Sequence, residues 1–585
     1  MHLPTFDKLL GKSQFSQTHV LIVLSVFVGL ATSLGALGFI TLIKYFNHLF
    51  FGMTDQFLTE AIGSKGFNIK YWLPLIPLLG GLLVGPIVYK FANEAKGHGV
   101  PEVMNAVARM GGIIRPRVAA AKTIASAICI GSGGSAGREG PIVQIGSAIG
   151  STIGQWFRMS GDRVKILVGC GAAAGISSVF NAPIAGVIFS LEIILGDYAI
   201  TTFSPVIISS VVASVVTRSV MGNHPAFDVP SYSLVSAWEI PLYVIMGIAL
   251  GGVGVSFTRT LGYFEDLFDR LKIQPMLKPA LGGLLLGVIA IFYPQVLADG
   301  YETIKLTLYG QMAIWLLIIL IFMKLMATCL TLGSGNSGGI FAPSLFMGAV
   351  AGGAFGFLVH QLFPETTATP GAYALVGMAG MVAASTHAPI TALLIIFEMT
   401  SDYRIILPLM VTVVFSALVA RRLFPHSVYT VKLIKRGIDI RGGKDINVLK
   451  SYKVSEIMDT EFQTISVSTP LATIFNVLEH SRESYFIVLG RDERIKGVLS
   501  FQDIRSLLSQ HSLDYLVIAQ DMVKEDITLL SPDDDLEQAF KIFGLRDLKL
   551  IPVTKGGEQG EVIGVIRRED LIDYYNKRLI ETLRR

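Results

Sequence analysis

Charge is scarce in this chain. Asp, Glu, Lys and Arg make up 16% of its 585 residues while 51% are hydrophobic, and the mean hydropathy of +0.58 lies well outside the range of soluble globular proteins. Cysteine is almost missing as well: Cys129, Cys170 and Cys329 lie far apart in apolar surroundings with no C-x-x-C spacing, which argues against a disulfide framework or a zinc site. No nucleophile–base pair, metal-ligand spacing or phosphate-binding motif supports a membrane enzyme. The net charge of +4 is what basic membrane flanks produce, and nothing in it suggests a nucleic-acid partner.

What remains is long apolar sequence. Uncharged stretches recur at Val20–Ile43, Trp72–Tyr89, Ile166–Leu191, Ile200–Thr217, Ile240–Thr258, Pro279–Ala298, Met312–Met323, Gly371–Phe397 and Ile405–Ala420, each long enough, or nearly so, to cross a bilayer core of about 30 Å as a helix. Several are interrupted by Gly or Pro, and a long one such as Ile166–Leu191 has room for two short segments. The chain is therefore expected to be an α-helical multi-pass membrane protein in contact with lipid. The first span is too long and too glycine-spotted for a signal-peptide core, and no A-x-A pattern follows it. Lys8 and Lys12 before it, and Arg421, Arg422, Lys432, Lys435 and Arg436 at the end of the apolar region, favour cytoplasmic N- and C-termini in a plasma (inner) membrane.

The apolar region is duplicated. GSGGSAGREGPIVQIGSAIGSTIG (Gly131–Gly154) aligns without a gap on GSGNSGGIFAPSLFMGAVAGGAFG (Gly333–Gly356) at a separation of 202, and NAPIAGVIFSLE (Asn181–Glu192) aligns on HAPITALLIIFE (His387–Glu398) at 206. The homologous halves run over roughly 20–220 and 240–430. Repeats of this kind often have inverted topology, with a substrate site at their interface near the midplane. If so, the two glycine-rich blocks meet.

The groups on offer suit an anion. Between them the blocks hold one acid, Glu139, beside Arg138, and an abundance of backbone N–H at prospective helix starts, where unpaired donors and the positive end of the helix dipole favour negative charge. Glycine lets that backbone approach an ion directly. Glu139 is a lone carboxylate in apolar, glycine-lined sequence, and such residues are functional candidates by default. It is read as a gate that competes with the anion for its site when ionised and vacates it when protonated; the other reading is a simple helix cap beside Arg138.

Near Arg436 the composition turns polar and basic. A membrane domain over 1–436 is expected, then a linker over 437–450 and a soluble α/β tail. Within the tail, GVLSFQDI (Gly497–Ile504) recurs as GVIRREDL (Gly564–Leu571) at a spacing of 67, and Gln463–Ser468 is echoed by Ile527–Asp533. This tandem pattern resembles a pair of CBS domains, over 451–513 and 514–585. Such pairs in many cases bind adenine nucleotides. The resemblance assigns Ser500 and Asp503 to phosphate and ribose in the first copy and Asp570 to ribose in the second, where Arg567 replaces the Ser or Thr. Equally, both Asp residues have a structural reading as caps on a helix's first turn.

Gly137-Arg138-Glu139-Gly140-Pro141, Gly339-Ile340-Phe341-Ala342-Pro343 and Gly97-His98-Gly99-Val100-Pro101, with both A-P-I repeats and Ser427-Val428-Tyr429-Thr430, resemble the signature loops of the CLC family of chloride channels and proton-coupled chloride exchangers. The similarity runs from about residue 70 to 435. It implies an inverted-repeat fold with broken helices, a homodimer with one pathway per subunit, and transport of chloride or a similar monovalent anion such as nitrate or bromide with no required cofactor. It implies that Glu139 is the external gate, that the amides of Ile340 and Phe341 with the Tyr429 hydroxyl form the central anion site, and that the His98–Gly99 loop also contributes.

Two departures bear on mechanism. His98 stands where chloride-selective members commonly have serine; the imidazole either donates to the anion, making binding pH-sensitive, or points away and leaves coordination to backbone amides. Ile193 stands where exchangers commonly carry an internal proton-transfer glutamate, which favours channel-like conduction, voltage- or pH-dependent, over chloride/proton antiport. Glu192 and Glu398 are read as satisfying groups at helix ends. Tyr429 has a second reading as an interfacial aromatic anchor. A rival from another class is a CBS-regulated cation transporter or membrane nucleotide sensor; a cation path would show clustered intramembrane carboxylates, which the repeats lack.

Overall fold

The computed structural model describes residues 17–52, 72–222, 232, 234–400, 402–438, 449, 452–480, 485–500, 504, 516–523, 528–545, 548–556 and 560–575. Lys8, Lys12, Asp503 and most of the 437–450 linker lie outside the described residues. The chain divides into two compact units, Met1–Ile438 and Asp439–Arg585.

The first unit is helical. Its first half holds α1 (Gln17–Asn47), α2 (Leu75–Pro86), α3 (Val100–Arg109), α4 (Pro116–Gly131), α5 (Glu139–Trp156), α6 (Gly161–Phe180), α7 (Pro183–Phe189) and α8 (Ile200–Met221). The second half holds α9 (Glu239–Arg270), α10 (Lys278–Phe292), α11 (Tyr301–Leu308), α12 (Ile314–Gly333), α13 (Phe341–Leu362), α14 (Pro370–Thr386), α15 (Pro389–Thr400) and α16 (Ile406–Leu423), with α17 (Thr430–Lys435) following. Each helix of the first half thus has its counterpart eight helices on, so the duplication covers far more than the two aligned sequence blocks. Among the described residues, eight helices are long and apolar enough to cross a membrane.

Two of the apolar stretches break where the residue types demand it. Ile166–Leu191 is divided between α6 and α7 at Asn181, and Gly371–Phe397 between α14 and α15 at His387. Both residues adopt the left-handed conformation, with φ of 56° and 60°, and a proline opens the helix after each. A left-handed residue ends a helix and a proline at the first turn starts the next.

The contacts between repeat mates show how the halves are related. α2 packs on α10 and α7 on α15. A side chain added at Gly81 would meet the carbonyl of Pro279, and one added at Gly283 would meet that of Pro77; 77 and 81 become 279 and 283 under the same shift of 202. Residues advance along one helix as they retreat along the other, so the mates cross antiparallel on a two-fold axis perpendicular to them. Helices related that way run through a bilayer in opposite senses, which makes the repeat inverted. Glycine at the crossing permits the backbones to touch. α6 and α13 are buried along most of their length, whereas α1, α8, α9, α10 and α16 leave more than half of their apolar spans uncovered, as a lipid-facing rim requires.

The second unit repeats a smaller motif. β1 (Thr464–Ser466) lies parallel to β2 (Tyr485–Leu489), which pairs antiparallel with β3 (Ile495–Ser500). In the second copy β4 (Leu550–Lys555) pairs antiparallel with β5 (Glu561–Arg567), and Leu530 bridges Val553 in parallel. Val488 faces Gly497 and Val553 faces Gly564, each beside a register shift, so the sequence echo marks equivalent positions. Helices α18 (Leu471–His480) and α20 (Leu536–Leu545) cover the two sheets, with α19 (Ala519–Met522) between them in the chain. Ile487 and Ile495 of the first copy and Leu550 and Val565 of the second share one apolar cluster.

Candidate functional site

Three loops, each feeding a helix start, are tied together by backbone hydrogen bonds. Gly137 and Gly339 exchange two, the Gly137 amide donating to the Gly339 carbonyl at 2.8 Å and the reverse bond measuring 2.6 Å. The Gly97 amide donates to the Asn336 carbonyl at 3.0 Å, and the Gly338 amide to the Gly97 carbonyl at 3.3 Å. Both glycine-rich blocks and the His98 loop therefore meet, and the starts of α3, α5 and α13 converge. The first amides of a helix have no acceptor within it, and the first turns of α5 and α13, opened by Glu139 and Phe341, bring such donors to one region. At α3 the Val100 amide donates to the His98 carbonyl at 3.0 Å and those of Glu102 and Val103 to the Gly99 carbonyl.

Glu139 is buried, with 2% of its surface exposed. Its Oε1 accepts a hydrogen bond from the Tyr301 hydroxyl at 2.9 Å. Its Oε2 has no hydrogen-bond partner among the described residues and lies against Gly137 and Gly339, where an added side chain would meet it. The Arg138 guanidinium sits 5.1 Å from the centre of the Tyr301 ring. The carboxylate thus points at the junction of the two blocks.

His98 and Tyr429 lie on the same junction. His98 is 1% exposed with Nδ1 unpartnered among the described residues, and its ring centre is 5.9 Å from that of Tyr429. Gly99, which precedes α3, has a φ of 81°, a backbone geometry that favours glycine. Tyr429 precedes α17, is 2% exposed and is placed by the Val428 amide, which donates to the Ser385 carbonyl at 2.9 Å. A tyrosine so enclosed is not an interfacial anchor. Phe341 packs its ring 5.5 Å from Phe180 at the end of α6, and Ile340 is buried beside it.

Glu192 and Glu398 are occupied elsewhere. Glu398 accepts the amides of Ile184 and Ala185 at 3.0 and 2.6 Å, capping α7. Glu192 accepts those of Ile390 and Thr391 at 3.3 and 2.8 Å, and the Thr391 hydroxyl at 2.6 Å, capping α15. Each repeat caps the other's broken helix. Ile193 is buried.

Sequence reasoning missed two buried lysines and the loops that they hold. Lys122 on α4 donates to the carbonyls of Ala95 at 3.0 Å and Gly97 at 2.6 Å. Lys324 on α12 donates to those of Val296 and Ala298, both at 2.9 Å. The first pair of bonds fixes the loop that carries His98 and Gly99, and the second fixes the loop that carries Asp299, Gly300 and Tyr301. The signal was available: the lysines are separated by 324 − 122 = 202 residues, the repeat distance, and charge inside apolar helices marks function.

In the tail, Ser500 closes β3 opposite Tyr485. Asp570 lies 3.7 Å from Arg567, which makes a 2.5 Å bond to Asp459. That bond holds the Asp459 carboxyl below its usual range. Arg567, in the Ser or Thr position, is therefore committed to two acids of its own chain. Among the described residues no group of three or more His, Cys, Asp or Glu side chains is arranged to hold a metal ion.

The chain is similar to known proteins over both of its units. Residues 80–421 match the voltage-gated chloride channel family, and residues 454–510 and 519–577 each match the CBS domain. The chain is 31% identical to chloride channel protein CLC-f of Arabidopsis thaliana, over 85% of this chain and 72% of the relative. It is 33% identical to the H(+)/Cl(-) exchange transporter ClcA of Vibrio campbellii, over 64% of this chain and 81% of the relative. A slow cyanobacterial Cl-/H+ antiporter of solved structure superposes with a TM-score of 0.66 at 29% identity, covering 72% of this chain and 99% of the antiporter.

Proposed function

Because the chain belongs to the voltage-gated chloride channel family, whose members are transporters or channels and not enzymes, we propose that chloride or a similar monovalent anion passes the junction of the His98, Gly137 and Gly339 loops, with Glu139 as its gate. Anion transport is the activity of that family. The observation that carries the reading is the paired Gly137–Gly339 bond, which joins the starts of α5 and α13 around a buried carboxylate. Amides of Ile340 and Phe341, the Tyr429 hydroxyl and the His98–Gly99 loop offer donors to an anion there. Ionised, Glu139 competes for the site; displaced or protonated, it releases it.

Channel-like conduction is favoured over proton exchange, because Glu192 is taken up in capping α15 and Ile193 can carry no proton. The second reading, chloride/proton antiport, is favoured by the likeness to a solved antiporter. Chloride flux into liposomes holding the purified protein tests the class: cation flux, or none, overturns it. The reversal potential under a proton gradient at symmetric chloride separates the two mechanisms, since only coupled exchange shifts it.

For the tail, nucleotide binding rests on Ser500 and Asp503 of the first copy, because Arg567 is held by Asp459 and lies beside Asp570 in the second. Equilibrium dialysis with labelled ATP and AMP, repeated with Asp503→Asn, tests this; binding unchanged by that substitution rejects the assignment. A homodimer in the plasma or inner membrane with cytoplasmic termini completes the proposal, and cross-linking and protease access to the tail in sealed vesicles test it.

A further inference from the structure

The gate is held by a loop that the sequence motifs do not mark. Tyr301 opens α11, directly after Gly300, whose φ of 78° puts the chain in a left-handed turn that favours glycine. Lys324 clamps the loop from behind through the carbonyls of Val296 and Ala298 at 2.9 Å each, and its ammonium lies 4.9 Å from the Phe346 ring centre. The turn delivers the Tyr301 hydroxyl to Glu139 Oε1 at 2.9 Å while Arg138 lies over the same ring. The other carboxylate oxygen has no hydrogen-bond partner among the described residues.

We propose that Tyr301 is a latch for the Glu139 gate: its hydroxyl holds the carboxylate seated at the junction of the two glycine blocks, and so sets how readily the pathway opens. This rests on the reading of Glu139 as the gate. The hydroxyl is a donor to a charged acceptor in a buried site, the strong class of hydrogen bond. Its aromatic ring gives the donor few rotamers, and the lysine clamp fixes the backbone from which it projects. The charged and titratable groups around the carboxylate are Arg138 on its own turn, Asp299 and Tyr301 on the facing loop, and Tyr429. Of these side chains, Tyr301 donates a hydrogen bond to the carboxylate, which the backbone amide of Glu139 itself also faces.

Tyr301→Phe removes the hydroxyl, and with it the hydroxyl's own interaction with Arg138, and keeps the ring under Arg138. Chloride efflux from liposomes is measured over an acid-to-alkaline series for the unaltered protein, Tyr301→Phe, Glu139→Gln and the double variant. A lost hydrogen bond to a charged group is expected to raise flux at neutral pH about tenfold and to move the midpoint of pH activation about one unit to the alkaline side. In the Glu139→Gln background the same substitution is expected to change nothing, since the ionised partner is gone. A purely structural tyrosine would act equally in both backgrounds, and that result overturns the latch. An unchanged profile in Tyr301→Phe, with Glu139→Gln insensitive to pH, also overturns the latch and leaves the gate intact. A Glu139→Gln protein that keeps its pH dependence rejects the gate itself.

Discussion

A single methyl group at Gly137 should force the gate. The Gly137 Cα faces the Glu139 carboxylate, so an added Cβ would meet Oε2 and would also lie 2.9 Å from the Ala342 Cβ. Gly137 is not among the residues with positive φ, so its backbone accepts alanine and the whole effect comes from space. Overpacking of this kind costs about 1–3 kcal/mol. The carboxylate is the movable member of the contact, whereas Ala342 sits on a buried helix. The Ala342 contact persists with the carboxylate seated or displaced and cancels from the ratio, so the carboxylate's share of the cost falls on the seated gate, and the ratio of closed to open should drop by up to roughly 150-fold. Chloride efflux at neutral pH, relative to that at acid pH, is the assay, with a monodisperse elution profile as the check on folding. Flux at neutral pH should rise toward that of Glu139→Ala, and the acid-to-neutral ratio should approach one. Gly38→Ala is the control, because nothing lies within 4 Å of its prospective Cβ, and its flux should be unchanged. A folded Gly137→Ala protein whose flux is unaltered, or lower by the same factor at every pH, would refute the placement of the carboxylate in the path.

Glu139→Gln should retain anion flux and lose its pH dependence, measured in the same efflux series. Glu398→Ala strips two donors at the start of α7 of a charged acceptor; at about 1–2 kcal/mol for such a cap, thermal unfolding in detergent should come earlier while the pH profile of flux stays in place. The Asp459–Arg567 pair, with side chains 35% and 19% exposed, is worth about 0.5–1 kcal/mol. Since Asp459 is held below its ordinary 3.8, that stability is present above this value and is lost as pH falls through the depressed one. Asp459→Asn should thus speed proteolysis of the tail at neutral pH and make no difference in strong acid.

Much of the membrane unit was legible because its two halves share a backbone plan. Glycine positions, the A-P-I turns and the lone acid survive as text, since each answers a local demand: close approach, a helix restart, a titratable group. What stayed hidden depended on contacts between distant segments. Nothing about Ile166–Leu191 or Gly371–Phe397 as apolar runs says where they break; Asn181 and His387 do so through a left-handed residue followed by proline, a signal that hydropathy overlooks. Tyr301 was invisible because it belongs to neither glycine block and meets Glu139 only across 162 residues. Lys122 and Lys324 were legible by their spacing, yet each reads as an ordinary interruption of an apolar run until its carbonyl acceptors are seen.

On the proposed reading of Glu139, the inverted repeat explains how a nearly symmetric scaffold would carry a directional gate. Two-fold related elements do the same structural work: Lys122 and Lys324 clamp the loops ahead of α3 and α11, Gly99 and Gly300 turn those loops, and Glu192 and Glu398 cap the opposite half's broken helix. None of these pairs gives the path a direction, because each half contributes equally. Direction enters where mates have diverged. Glu139 has Phe341 as its counterpart at 341 − 139 = 202, so one helix start offers a titratable carboxylate and the other a ring packed on Phe180. Behind Gly300 comes Tyr301, a donor aimed at that carboxylate, whereas behind Gly99 comes Val100, which has no polar side chain. The proposed gate and its proposed latch therefore occupy mated halves at adjoining helix starts. Glu139 offers the acceptor from the first half, Tyr301 the donor from the second, and the Gly137–Gly339 bonds hold the halves in register. Loosening that register by any substitution at the Gly137–Gly339 bridge should weaken latch and gate together, whereas Tyr301→Phe weakens the latch alone.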